Sequence, residues 1–178
     1  MSDWQHFAHG ADIGVRGRGT TLAEAFAAAA VGLTAVVTDP LQVRPLESVR
    51  VECAMADRGL LFYEWLNSLI FLMATRRMLF SRFDVRIAGE TLVADAWGEP
   101  VDLTRHAPAV EVKGATLTEL AVRQEPDGRW LAYVSRINGA FKLQVLELAT
   151  GAVTAITETA ADESPSFAPN SRLIVYAT

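Results

Sequence analysis

The spacing of apolar and polar positions changes several times along the chain, and each change marks an element. Ala11 to Gly17 alternates weakly and runs into Gly17-Arg18-Gly19, which predicts a strand ending in a turn. Thr21-Leu22-Ala23-Glu24 has the form of a capping box, with a hydroxyl to accept from an amide of the first turn and a carboxylate to reach back. Leu22, Phe26, Ala29, Leu33 and Val36 or Val37 then recur at helical spacing up to Asp39-Pro40, where proline restricts its predecessor and lacks an amide donor. Val49, Val51, Cys53 and Met55 alternate with Arg50, Glu52 and Ala54, the period of a half-buried strand. Asp57 is the predicted N-cap of a second helix carrying Leu60, Leu61, Trp65, Leu66, Leu69, Ile70 and Met73. Phe62, Trp65 and Phe71 on this helix are expected in the core.

Strands dominate afterwards. Phe83, Val85 and Ile87 alternate toward Ala88-Gly89 and Leu92, Ala94 and Ala96 alternate after it, a predicted hairpin. Val110 to Lys113 and Leu120 to Val122 lead to the turn Pro126-Asp127-Gly128, and Trp130 to Val134 returns as a strand. Two helices among several strands predict an α+β domain closing near Val134. Beyond it no helical period remains. Leu143, Val145, Leu146 and Leu148, a Thr150-Gly151 turn, then Val153, Ala155 and Thr157 describe a further hairpin. The run Pro126-Asp127-Gly128-Arg129-Trp130-Leu131-Ala132-Tyr133 recurs 43 residues later as Pro169-Asn170-Ser171-Arg172-Leu173-Ile174-Val175-Tyr176. That offset lies within the roughly 40–45 residues of a four-stranded propeller blade. The expected organisation is therefore a domain over residues 1–138 and an extension over 139–178.

Composition narrows the function classes. A formal net charge of −5 and a pI near 5.2 argue against direct nucleic-acid binding, which needs a concentrated Lys/Arg face. Cys53 is the only cysteine, which excludes an internal disulfide and a four-thiolate zinc site. Met1 to His6 has neither a basic nor an apolar leader region, and the apolar stretch from Ala25 to Val37 is shorter than the roughly 20 residues of a membrane span. A cytoplasmic protein with no membrane partner is expected. Gly17-Arg18-Gly19 lacks the third glycine of a dinucleotide loop, and neither a phosphate loop nor a nucleophile elbow occurs, so no enzyme chemistry is predicted. Asp162-Glu163-Ser164 before Pro165 reads as a loop and not as acid-assisted serine chemistry.

Four polar residues carry the remaining chemistry. Asp12, taken alone, reads as an Asx turn bonding its own backbone, although aspartate is also a hard oxygen ligand suited to calcium or magnesium. His9 and His106 lack zinc spacing to another donor and read as packing or hydrogen-bonding residues. Lys113, in a strand-like context, is a solvated cation by default.

From Phe7 to about Val134 the chain resembles the archease family, in His9-Gly10-Ala11-Asp12-Ile13-Gly14, Glu24-Ala25-Phe26 with Gly32-Leu33, Leu60-Leu61 with Trp65-Leu66-Asn67, Ala96 with Gly98-Glu99, His106, and Glu111-Val112-Lys113 with Thr116. The resemblance implies an α+β fold with a mixed sheet and two helices. It further implies a non-enzymatic factor that assists an RtcB-type RNA ligase of tRNA splicing and RNA repair by promoting guanylylation and turnover. In such a factor Asp12 joins a divalent cation site for calcium or magnesium, while His9, His106 and Lys113 become partner contacts. From Pro126 to Thr178 the chain resembles blades of a TolB-type propeller, in Asp127-Gly128-Arg129, Gly139-Ala140-Phe141-Lys142-Leu143, Leu148-Ala149-Thr150-Gly151 and Asp162-Glu163-Ser164-Pro165-Ser166-Phe167. An envelope protein-interaction fragment, or a recombined chain without selected function, stays open beside the first reading. The chain departs from the family pattern at the cation site. Ile137 stands where the family's second aspartate belongs, with Asn138 beside it as a neutral oxygen ligand, and Thr118 stands where a family histidine belongs. Losing a carboxylate predicts weak cation binding.

Overall fold

The computed structural model describes residues 3–9, 12–117, 120–124 and 130–134, together with strands at 144–147, 152–155, 163–167 and 174–177. The chain divides into two compact units, Met1–Arg136 and Ile137–Thr178.

The first unit opens with a strand that the sequence pattern had not announced. Strand β1 (Asp3–His9) forms a hairpin with β2 (Asp12–Gly19), with Phe7 opposite Gly14 and His9 opposite Asp12. Its apolar residues, Trp4 and Phe7, lie three apart and break the two-residue period, which is why the strand was missed. Gly17-Arg18-Gly19 is not a turn: it is the end of β2. A Cβ on Gly17 would lie 2.2 Å from the Ala25 carbonyl oxygen, and one on Gly19 would lie 2.6 Å from the Ala25 amide nitrogen. These glycines serve close approach to helix α1 (Leu22–Val37), not a reversal of the chain.

Helix α1 begins with the expected capping box. The Glu24 amide donates to Thr21 Oγ1 at 3.1 Å, and the Thr21 amide donates to Glu24 Oε2 at 3.2 Å. An alanine-rich face, with Ala25, Ala29 and Ala30 buried, brings the helix axis near β2. The same helix reaches the second sheet, where Thr34 Oγ1 donates to the Phe80 carbonyl at 2.6 Å. After α1 a single 3-10 turn, Pro40–Gln42, is capped by Asp39.

Two sheets replace the single sheet expected, and every described pairing is antiparallel. One has the order β1-β2-β7-β6, with β6 at Ala121–Gln124 and β7 at Trp130–Val134. The other places β5 (Thr91–Pro100) between β3 (Glu47–Ala54) and β4 (Met78–Ala88). Val49, Val51 and Cys53 point into the core as the alternation predicts, whereas Met55 falls beyond β3 and is exposed. Helix α2 (Arg58–Arg76) is capped by Asp57, whose Oδ1 accepts from the Leu60 amide at 2.8 Å. Phe62 and Trp65 are fully buried, and the Trp65 indole donates to the Phe26 carbonyl at 3.2 Å. Phe71 is not core: it is 64% exposed, because one α-helix presents residues six apart about 240° apart.

Two further differences lie after β5. A third helix, α3 (Leu103–His106), has the one-turn length that periodicity does not register, and its signal is the Asp102 cap accepting from the Thr104 and Arg105 amides at 3.0 and 3.1 Å. Val110 to Lys113 is irregular chain, not strand. The Ala109 amide donates to the Val37 carbonyl at 2.9 Å, and Val112 packs partly buried on the core while Val110 is exposed. No helix among the described residues is long and apolar enough to cross a membrane.

In the second unit β8 (Gln144–Glu147) pairs with β9 (Ala152–Ala155), and β10 (Glu163–Phe167) pairs with β11 (Ile174–Ala177). Glu163 and Ser164 therefore open a strand rather than a loop, with an irregular register before Ser166.

Candidate functional site

Asp12 and His9 are the last register pair of the β1–β2 hairpin. Antiparallel pairing of β7 with β2, with Val134 opposite Val15, brings the C-terminal end of β7 to this same end of the sheet. Asn138, Ile137 and Thr118 lie outside the described residues. Among the described residues no group of three or more His, Cys, Asp or Glu side chains is arranged to hold a metal ion. Asp12 is thus the one expected ligand whose backbone position is known.

A second polar cluster lies on the other sheet and was not singled out as a site by the sequence. Along β5 the residues Leu92, Ala94 and Ala96 face the core, so the two-residue period sends Glu99 to the opposite face. It is nonetheless buried, with 2% exposure, because Arg44, Arg105 and α3 cover it. The preceding residue, Gly98, lets the backbone of β4 come close, since a Cβ there would lie 1.8 Å from the Leu79 carbonyl oxygen beside the bulge between Phe80 and Arg82.

Glu99 Oε1 accepts from the Arg44 amide at 2.6 Å and from Arg105 Nη1 at 2.8 Å; Oε2 accepts from Arg44 Nη2 and Arg105 Nη2, each at 2.8 Å. Arg105 also donates to the Gln42 carbonyl. His106 completes the shell. Its Nδ1 accepts from the Asp102 amide at 2.9 Å, so the ring carries its proton on Nε2, which donates to Glu99 Oε1 at 3.3 Å. The hydrogen bonds from Arg105, opposed by burial and reinforced by Arg44, hold the Glu99 carboxyl far below the usual carboxylate range. Asp102, 3.7 Å from Arg105 Nε, balances the second guanidinium.

This arrangement is a latch and not a reaction centre. Every polar group of Glu99 and His106 is engaged within the fold, joining β5, the Arg44 segment and α3. His106 was expected as a partner contact; its side chain is 0% exposed, so it can touch a partner only through the elements it holds. Lys113 is exposed on the irregular segment after α3, two residues before Ala115, whose amide donates to Asn67 Oδ1 at 3.0 Å. Asp12 and His9 thus share one hairpin, while His106 and Lys113 follow β5 in a separate part of the unit. The signal for Glu99 was present as a carboxylate in a strand, followed closely by a capped Asp102-Leu103-Thr104-Arg105-His106, but its partner Arg44 is 55 residues distant in sequence. Cys53 offers no reactive thiol, since burial pushes its pKa up.

Residues 4–135 match the Archease protein family. This chain belongs to the archease family. Among its relatives, protein archease of Thermococcus gammatolerans is 42% identical over 136 residues, covering 74% of this chain and 96% of that protein. Protein archease of Thermococcus kodakarensis is 40% identical over the same shares. The solution structure of Methanobacterium thermoautotrophicum protein 1598 superposes with a TM-score of 0.66 at 34% identity, covering 74% of this chain and 95% of that one. The family's α+β fold accounts for the first unit, with three helices where two were expected. The match ends before the second unit, so the propeller resemblance there is the chain's own sequence pattern alone.

Proposed function

We propose that the first unit acts as an archease-type accessory factor: it binds an RtcB-type RNA ligase in the cytoplasm and promotes its guanylylation and turnover, without itself touching RNA. The observation that carries this reading is the family match from residue 4 to 135 together with relatives covered over nearly their whole length. An acidic chain fits a protein partner better than a phosphate backbone. The reactive groups belong to the ligase, and the factor's contribution is rearrangement of the ligase site.

Asp12, at the sheet end shared by the β1–β2 hairpin and the end of β7, is proposed to hold a calcium or magnesium ion weakly, because the sequence supplies Ile137 and Asn138 where a second carboxylate would strengthen a hard-cation site. Lys113, exposed, and His9 are proposed to contact the ligase. The test is guanylylation of the cognate ligase with GTP and metal at substoichiometric doses of the full chain. Increased turnover supports the reading, and an unchanged rate overturns it. Calcium titration of the unmodified chain, Asp12→Ala and Ile137→Asp separates the cation proposal. Weak binding, loss and gain are expected in that order.

For the second unit we propose a propeller-derived appendage, supported by the 43-residue repeat and by two antiparallel strand pairs. Removing residues 139–178 should then leave ligase stimulation intact; its loss would favour the protein-interaction reading of this segment.

A further inference from the structure

A cavity of about 460 Å³ lies between the C-terminal half of α2, the start of β4, and the chain running from Val101 through α3 to Val112. Its volume is within the roughly 300–1,000 Å³ range of small-molecule sites, and like them it is walled by apolar side chains with few polar groups. Ile70, Met73, Leu79, Val101, Leu103 and Val112 supply much of the wall. Only two of the lining side chains are charged, Arg77 and Glu111. Among the described residues neither has an ion-pair or hydrogen-bond partner for its charged group.

Arg77 is also unusual in its backbone. It sits at φ 51° and ψ 46°, the left-handed region that glycine occupies at helix ends without steric cost. The only other non-glycine residue described at positive φ is Ala107, at φ 40°, which starts the opposite wall one residue before Pro108. The Arg77 carbonyl accepts from the Val101 amide at 2.8 Å, so this position is tied to the wall across the cavity. A conformation that favours glycine thus carries a long cationic side chain at the mouth of an apolar cavity.

We propose that this cavity binds an amphiphilic monocarboxylate, with its hydrocarbon body against the apolar wall and its head paired with Arg77. The guanidinium offers a planar fork that fits a carboxylate bidentately. Glu111, the other charged side chain of the wall, lies on the exposed segment before Val112. A neutral ligand leaves the Arg77 fork unused, and a cationic head placed at Arg77 is repelled by the guanidinium.

The test is calorimetric titration of the full chain with decanoate, decanol and decylammonium below their aggregation concentrations. One saturable site is expected, with decanoate binding about tenfold or more tighter than decanol, the effect of a charge-assisted hydrogen bond, and decylammonium weakest. Arg77→Gly, which suits the left-handed backbone and so preserves the fold, should reduce decanoate to the affinity of decanol. Ala74→Trp, verified as folded by circular dichroism, should abolish binding of all three by filling the cavity. Decanol or decylammonium binding as tightly as decanoate, decanoate binding unchanged in Arg77→Gly or in Ala74→Trp, or no saturable binding would each overturn the proposal.

Discussion

At two places in the first unit, arginine and glutamate do different things. Around Glu99, two guanidiniums, an imidazole and a backbone amide converge on one buried carboxylate. Around the α2–β4 cavity, Arg77 and Glu111 stand at an apolar wall without partners among the described residues. The same side-chain chemistry serves stability where donors and acceptors match within the fold, and is left for a ligand where they do not. Backbone geometry separates the two places as well. The Arg44 and Arg105 positions need no left-handed conformation, whereas Arg77 adopts one.

The comparison would break most sharply at Glu99. Replacing it with Gln leaves two guanidiniums facing a neutral amide, and should destabilise the fold by about 2–4 kcal/mol, short of the largest effects of broken buried pairs because both arginines reach water. Urea unfolding measures this, and a loss below about 0.5 kcal/mol, the size of an ordinary surface substitution, would remove the latch. The pH dependence has a fixed sign. Because the folded carboxyl titrates below its unfolded value, its stabilisation is complete above about pH 4.3 and declines as the pH falls below that toward the folded pKa. Thermal melts between pH 3 and pH 6, ordinary buffer values, should therefore drop on the acid side for the unmodified chain and drop less for Glu99→Gln.

His106→Ala is expected to cost about 1–3 kcal/mol, since it empties a buried site and leaves the Asp102 amide without its acceptor. Equal stability of this variant and the unmodified chain would show that neither the packing of the imidazole nor its hydrogen bonds hold the fold. At the cavity the sign reverses. Arg77→Gly should raise stability by about 0.5–1 kcal/mol by relieving the left-handed backbone. A destabilised Arg77→Gly would mean that the guanidinium holds the fold, and the contrast with Glu99 would vanish. Smallest of all, Glu111→Gln should change the unfolding free energy, measured in urea, by less than about 0.5 kcal/mol, as for an unpaired exposed charge.

Local signals were sufficient for much of this protein. The Thr21–Glu24 capping box, the Asp57 cap, the alternation of Val49, Val51 and Cys53 and the hairpin about Gly89 each depend on residues only a few positions apart. The order of short motifs also carried the family. Long-range packing decided the rest. Gly17 and Gly19 looked like a turn because their reason, the backbone of α1 lying against β2, is a tertiary contact. Phe71 looked like core because apolar character does not state which side of a helix is covered. Glu99 had the parity of an outward-facing strand residue, and only the return of α3 and the Arg44 segment over that face buried it and drew its partners together. Periodicity records which neighbours a residue has along its own element, whereas burial and ion pairing depend on what other elements bring to it through space.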